Sequence, residues 1–140
     1  MNKFSVLISI YFKEQAEFLR SALFSIINQT YPPLEIVIVK DGPLTDELEK
    51  ELSFFIDTYP DLFKVIPLSV NQGLGNALKI GLENCSYEIV ARMDTDDISV
   101  VNRFEKQISF LENNPEVDVV GTNIEEFNCS PGDLLRYKFN

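Results

Sequence analysis

Residues 87–99 read YEIVARMDTDDIS, and this stretch decides how the rest of the chain is read. Tyr87–Met93 has the apolar, β-branched character of a buried strand, and it stops abruptly at Asp94-Thr95-Asp96-Asp97. Three acids within four residues repel one another, so the arrangement is costly unless a cation binds or some of the carboxyl pKa values rise. Taken alone, the same turn would serve as a solvated acidic cap on a following helix. The elements on either side decide between the two.

Upstream, the pattern of apolar run, polar turn and amphipathic helix recurs three times. Phe63–Leu68 predicts a strand, followed by the loop Ser69–Gly73 and a helix over Leu74–Glu83 with Leu74, Ala77, Leu78 and Leu82 inward. Glu35–Val39 predicts another strand, closed by Asp41-Gly42-Pro43. Asp46 and Glu47 then open a helix where the macrodipole favours acids, with Leu48, Leu52, Phe55 and Ile56 as its buried stripe. Ser5–Ile10 predicts the first strand. The helix after it, near Glu14–Asn28, places Phe18, Leu19, Ala22, Leu23, Ile26 and Ile27 on one face and stops at Tyr31-Pro32-Pro33. Downstream, a helix over about Val101–Asn113 buries Phe104, Ile108 and Leu111 and ends before Pro115, and Val117–Gly121 predicts a fifth strand. From Asn128 onward, with Pro131 and Gly132, no element is clear.

Strands alternating with helices imply βαβ crossovers and an α/β fold, a mostly parallel sheet with helices on both faces. In such a sheet all C-terminal strand ends lie on one edge, where ligands bind. That edge gathers Ser9-Ile10-Tyr11 with Lys13 and Glu14, Lys40-Asp41-Gly42, Asn71-Gln72-Gly73, and the acids Asp94, Asp96 and Asp97. Clustered oxygen ligands of this kind suit Mg²⁺ or Mn²⁺, which proteins hold through one or two carboxylates plus substrate phosphates. Plainer roles stay open for each residue: Tyr11 as a rim aromatic, Ser9 as a small packing residue, Asp41 as a turn former. Arg92 and Arg103 either contact a diphosphate or pair with the aspartates.

Composition narrows the chemistry. The 140 residues suit one domain. A net charge of −10 argues against a nucleic-acid surface, and a phosphate-bearing ligand would meet a repulsive field unless metal or helix N-termini intervene. There is no histidine, which removes Ser-His-Asp triads, Cys-His pairs and His-based zinc sites. Cys85 and Cys129 lack CxxC spacing and read as reduced thiols of a cytoplasmic protein. Phe4–Ile10 is too short for a signal peptide, and no apolar run approaches the ~20 residues of a membrane helix. Peripheral contact with the inner face of a membrane remains compatible with this.

The stretches SVLISIYFKE, SIINQTYPPLEIVIVKDGPLTDEL, NQGLGNALKIGL and EIVARMDTDDIS, with Arg103 following, resemble the family 2 glycosyltransferases of the GT-A fold from about Phe4 to Gly121. The DGPLT and YFKE variants resemble bacterial surface-polysaccharide enzymes. The resemblance implies that Ser9, Tyr11 and Glu14 contact base and ribose, that Asp41 hydrogen-bonds the nucleoside (usually uridine), and that Asp94 and Asp96 are the acids of a D-x-D motif. Asp96 would hold the metal and Asp94 would lie near ribose or sugar, with Arg92 beside them. It further implies an inverting, metal-dependent transfer from a UDP-sugar to a saccharide or lipid-linked acceptor. On this reading residues 1–127 form the donor-binding core. Residues 128–140 begin an acceptor-binding half whose general base lies beyond Asn140, so the chain alone would bind donor and transfer poorly.

Two rival readings fit less of the sequence. Gly73-Leu74-Gly75 with Asp94 about twenty residues on approximates a dinucleotide fingerprint, but Leu78 replaces the third glycine. A receiver-like Mg²⁺ domain would want a lysine ending the fifth strand, where Gly121-Thr122 stand.

Overall fold

In a computed structural model, which describes residues 1–127 and 138–139, the predicted alternation is present. Strands β1 (Phe4–Ile10), β2 (Glu35–Lys40), β3 (Phe63–Pro67) and β4 (Ile89–Arg92) alternate with helices α1 (Ala16–Ile27), α2 (Asp46–Thr58), α3 (Leu74–Glu83) and α4 (Arg103–Asn113). The four strands form one parallel sheet in the order β3-β2-β1-β4. Its central strand β1 is buried along almost its whole length, which is why its sequence is a continuous apolar run rather than an alternating one.

Strand periodicity divides the core in two. Val6, Ile8 and Ile10 of β1 and Ile36 and Ile38 of β2 point to one face, where Leu19, Leu23 and Ile26 of α1, Leu48 and Phe55 of α2 and Phe104 and Ile108 of α4 cover them. Leu7, Val37 and Val39 point to the other, where Ala77 of α3 meets them. On that second face α3 packs closely because Gly81 brings its backbone down. A Cβ added at Gly81 would lie 2.4 Å from Leu7 Cδ1 and 2.7 Å from Val39 Cγ2.

Several expectations need correction. Ala77 is inward as expected, but Leu74 and Leu82 are 57% and 55% exposed, because the sheet-facing line of α3 continues from Ala77 to Gly81. Phe18 is 45% exposed, since the buried stripe of α1 is Leu19, Ala22, Leu23 and Ile26 and Phe18 lies at its flank. Val117–Gly121 is not a strand. Val119 is 86% exposed there, so strand pairing would bury no side chain to offset the ordering of the backbone. A short antiparallel pair, β5 (Ile124–Glu125) with β6 (Lys138–Phe139), occurs instead. Asn128, Cys129, Pro131, Gly132 and Asp133 lie outside the described residues.

Candidate functional site

The strand order reverses direction between β1 and β4, the two strands that leave β1 towards opposite edges of the sheet being β2 and β4. This is the switch point at which open α/β sheets form a ligand crevice beyond the strand C-termini. Register fixes what meets there. Leu7 pairs with Arg92, and the Met93 N–H donates to the Leu7 carbonyl at 3.2 Å, so the chain from Asp94 onward departs beside Ser9. On the other side Ile10 pairs with Lys40, and the Asp41 N–H donates to the Ile10 carbonyl at 2.8 Å, which sets Asp41 beside Tyr11. The rim therefore runs Asn71-Gln72, Asp41, Tyr11 with Ser9, then Asp94.

Tyr11 is 38% exposed and stands edge-on to Phe12, with ring centroids 5.8 Å apart. Ser9 is half-buried on the α3 side of the sheet, and Glu14 is half-buried in a turn whose N–H donates to the Tyr11 carbonyl. Asp41 is only 3% exposed, which distinguishes it from a plain surface turn. Its Oδ1 accepts the Gln72 N–H at 2.7 Å, and its carbonyl accepts from Asn71 Nδ2 at 3.2 Å. Gly42 follows with φ +89, and a Cβ there would sit 2.8 Å from the Asn71 nitrogen. The ends of β2 and β3 are thus tied together through Asp41, with Gly42 permitting the close approach. The second Asp41 oxygen accepts no hydrogen bond among the described residues and is not sealed from solvent. Lys40 is held by Glu49, with Nζ 2.7 Å from Oε1, so its charge is matched next to the site.

The acidic stretch is an arch between two buried footings, Met93 at 4% and Ser99 at 9% exposure. Within it Thr95 is turned inward at 2%, while Asp94, Asp96 and Asp97 are exposed. Asp94 pairs with Arg92 at 3.0 Å. Asp96 makes no hydrogen bond or ion pair among the described residues. Partial desolvation, then the neighbouring Asp96 and Asp94, push the Asp97 carboxyl above its ordinary range, with Arg103 opposing. Among the described residues no three acids or thiols converge as a ready-made metal cage. Uncompensated charge on an exposed arch does fit a cation held by one or two carboxylates and completed by phosphate oxygens, the usual manner for Mg²⁺.

The alternatives left open for the two arginines now separate. Arg92 pairs with Asp94 and also lines an apolar groove of about 360 Å³ with Leu7, Leu78, Lys79 and Val90 on the α3 face. Arg103 forms no ion pair among the described residues. Its guanidinium donates to the Arg92 carbonyl at 2.9 Å, Ser99 Oγ at 3.0 Å and Gln107 Oε1 at 3.1 Å, so it clamps the arch rather than facing outward. Asn71 and Gln72 as partners of Asp41 could not be read from sequence beyond their place at a strand end.

The four-stranded parallel sheet with its helices has the architecture of GT-A glycosyltransferases, and solved members superpose on it. S. aureus TarS 1–349 in complex with UDP-GlcNAc matches with TM-score 0.70 at 25% identity, over 81% of this chain and 32% of that one. The mannosyltransferase PcManGT from Pyrobaculum calidifontis, in complex with GDP-Man and Mn²⁺, shares the fold with TM-score 0.70 at 24% identity, over 79% of this chain and 32% of that one. The chain belongs to glycosyl transferase family 2, whose description matches residues 5–139. An uncharacterized glycosyltransferase of Haemophilus influenzae is 46% identical over 97% of this chain. The amylovoran biosynthesis glycosyltransferase AmsE of Erwinia amylovora is 47% identical over 89%. The UDP-Gal:alpha-D-GlcNAc-diphosphoundecaprenol beta-1,3-galactosyltransferase of Escherichia coli is 41% identical over 94%. The chain spans 50%, 46% and 47% of these three relatives, about half their length. No helix among the described residues is long and apolar enough to cross a membrane.

Proposed function

We propose that this chain is the donor-binding part of a metal-dependent, inverting glycosyltransferase that uses a UDP-sugar in bacterial surface-polysaccharide assembly. The observation that carries the reading is that an exposed aromatic, Tyr11 after β1, and the acidic arch Asp94–Asp97 after β4 leave the same edge of the parallel sheet at the β1/β4 switch point. Support for UDP comes from the donor named for the E. coli relative and from the ligand of TarS. Support for a saccharide or lipid-linked acceptor comes from the names of the AmsE and E. coli relatives.

Tyr11 offers a ring face to the base, and Asp41 offers its second oxygen to a ring N–H, a selection that favours uracil. Ser9 and Glu14 flank the ribose. Asp96, exposed and without a hydrogen bond or ion pair among the described residues, would hold Mn²⁺ or Mg²⁺ together with Asp94, and Arg92, paired with Asp94, would contact the diphosphate. When bound, the ion supplies Lewis-acid stabilisation of charge on the departing diphosphate. The inverting displacement also needs a base within reach of the acceptor hydroxyl. With no histidine in the chain and Asp41, Asp94 and Asp96 assigned to nucleotide and metal, we assign that base to the part of the relatives that this chain does not span.

Calorimetric titration with UDP, in Mn²⁺ and in EDTA, tests the proposal, with NADH as the control for the dinucleotide alternative. Tighter UDP binding in Mn²⁺ and no NADH binding are expected. Equal UDP affinity in both buffers would sink the metal-dependent reading.

A further inference from the structure

The arch that carries Asp94, Asp96 and Asp97 is held at its far end by a residue outside the rim. Gln29, in the turn after α1, is 6% exposed, and its whole amide is engaged. Its Nε2 donates to the Val100 carbonyl at 2.7 Å and to the Ser25 carbonyl at 2.9 Å, while its Oε1 accepts the Phe104 N–H at 3.0 Å. Two neighbours extend the tie: Ser25 Oγ accepts the Ser99 N–H at 3.0 Å, and the Thr30 N–H donates to the Val101 carbonyl at 2.8 Å. The first turn of a helix leaves N–H groups that a capping side chain normally satisfies. In α4 the N-cap residue Asn102 makes no such bond, and Gln29 serves in its place from 75 positions away in sequence.

We propose that Gln29 is a positioning residue for the metal-binding arch, a reading that rests on the proposed function above. Between the footings Met93 and Ser99 only Thr95 is turned inward, so the exposed acids take their place from where those footings are fixed. Arg103 fixes both from the α4 side, through Ser99 and the Arg92 carbonyl. Gln29, with Ser25, fixes the descending limb from the α1 side. Among the described residues no hydrogen bond joins Gln29 or Ser25 to the rim residues Tyr11 or Asp41, so losing the tie acts on the acids and spares the base pocket.

The test compares UDP affinity in Mn²⁺ with that in EDTA for the parent chain, Gln29→Ala and the milder Ser25→Ala, which removes the Ser25 Oγ bonds to the Ser99 N–H and, within α1, to the Ala22 carbonyl. Hydrogen exchange at Thr95–Ile98 is followed in each. Residues that orient ligands from behind typically govern metal affinity by about 10–100-fold. Gln29→Ala is therefore expected to lose about tenfold in the Mn²⁺ arm and to keep its EDTA affinity. Ser25→Ala moves the same way by less, and arch amides exchange faster in both. A purely structural role would lower the melting temperature and leave the Mn²⁺/EDTA ratio unchanged, and that result overturns the inference. If Gln29→Ala does not fold, the ratio in Ser25→Ala decides. A parent chain indifferent to Mn²⁺ overturns the functional reading itself, and this inference with it.

Discussion

Asp41→Ala separates two roles that one carboxylate performs. Asp41 is 3% exposed, and its Oδ1 accepts the Gln72 N–H at 2.7 Å, joining the loops that follow β2 and β3. A hydrogen bond to a charged group contributes roughly 1.5–3 kcal/mol. Gln72 is itself exposed, so water replaces part of what is lost, and the lower end of that range applies. A loss of about 1.5 kcal/mol in a chain of this size lowers Tm by roughly 5–7 °C. Asp41→Asn keeps an acceptor oxygen for the Gln72 N–H and so recovers most of that loss, while removing the charge. Thermal melting followed by far-UV circular dichroism at pH 7 measures the first role. Titration with uridine and UDP, well below both melting temperatures, measures the second, and both variants are expected to bind uridine more weakly. A melting temperature for Asp41→Ala within about 1 °C of the parent would refute the tie between the loops. Parent-like UDP binding by Asp41→Ala would remove Asp41 from the nucleotide pocket.

Two further outcomes are expected. Gly81→Ala gains about 1 kcal/mol of helix propensity but forces a methyl to 2.4 Å from Leu7 and 2.7 Å from Val39, an overpacking that costs about 1–3 kcal/mol. Chemical denaturation should show a net loss of about 1 kcal/mol, and a variant more stable than the parent would mean that α3 is free to lift. Incubated with labelled UDP-sugars and a panel of acceptors, residues 1–140 should hydrolyse donor slowly and transfer little. Robust acceptor-dependent turnover would instead direct attention to Glu125, Glu126 and Asp133 as the base.

The strands β1 to β4 were legible because each is a short, mostly apolar and β-branched run, and β2 and β4 are stopped at once by Asp41-Gly42-Pro43 and by Asp94. The rim was legible for a different reason. Once the sheet is parallel, topology alone brings Tyr11, Asp41 and Asp94 to one edge. Side-chain direction on α3 was legible only in part: Ala77 is inward as expected, but close helix-sheet packing selects small residues, and a reading that looks for large apolar side chains passes over Gly81 and turns Leu74 and Leu82 inward. The run Val117–Gly121 misled for a related reason. Valine marks a strand only where something covers it, and Val119 is 86% exposed. The opposite duties of the two arginines also escaped the sequence. Arg92 and Arg103 both lie close to the acids along the chain, yet only Arg92 pairs with one, while Arg103 turns inward to Ser99 and a carbonyl.

The central claim is that the acidic arch holds a divalent ion against a nucleoside diphosphate. It is tested most directly by the Mn²⁺ dependence of UDP affinity in Asp96→Asn beside the parent chain. Asp96 is exposed and unpartnered among the described residues, so its replacement should leave the fold and the EDTA affinity unchanged. The account predicts that UDP binds the parent chain more tightly in Mn²⁺ than in EDTA, and that this gain is largely lost in Asp96→Asn. A parent chain that gains from Mn²⁺ while Asp96→Asn gains equally would contradict the account, because the ion would then be held elsewhere.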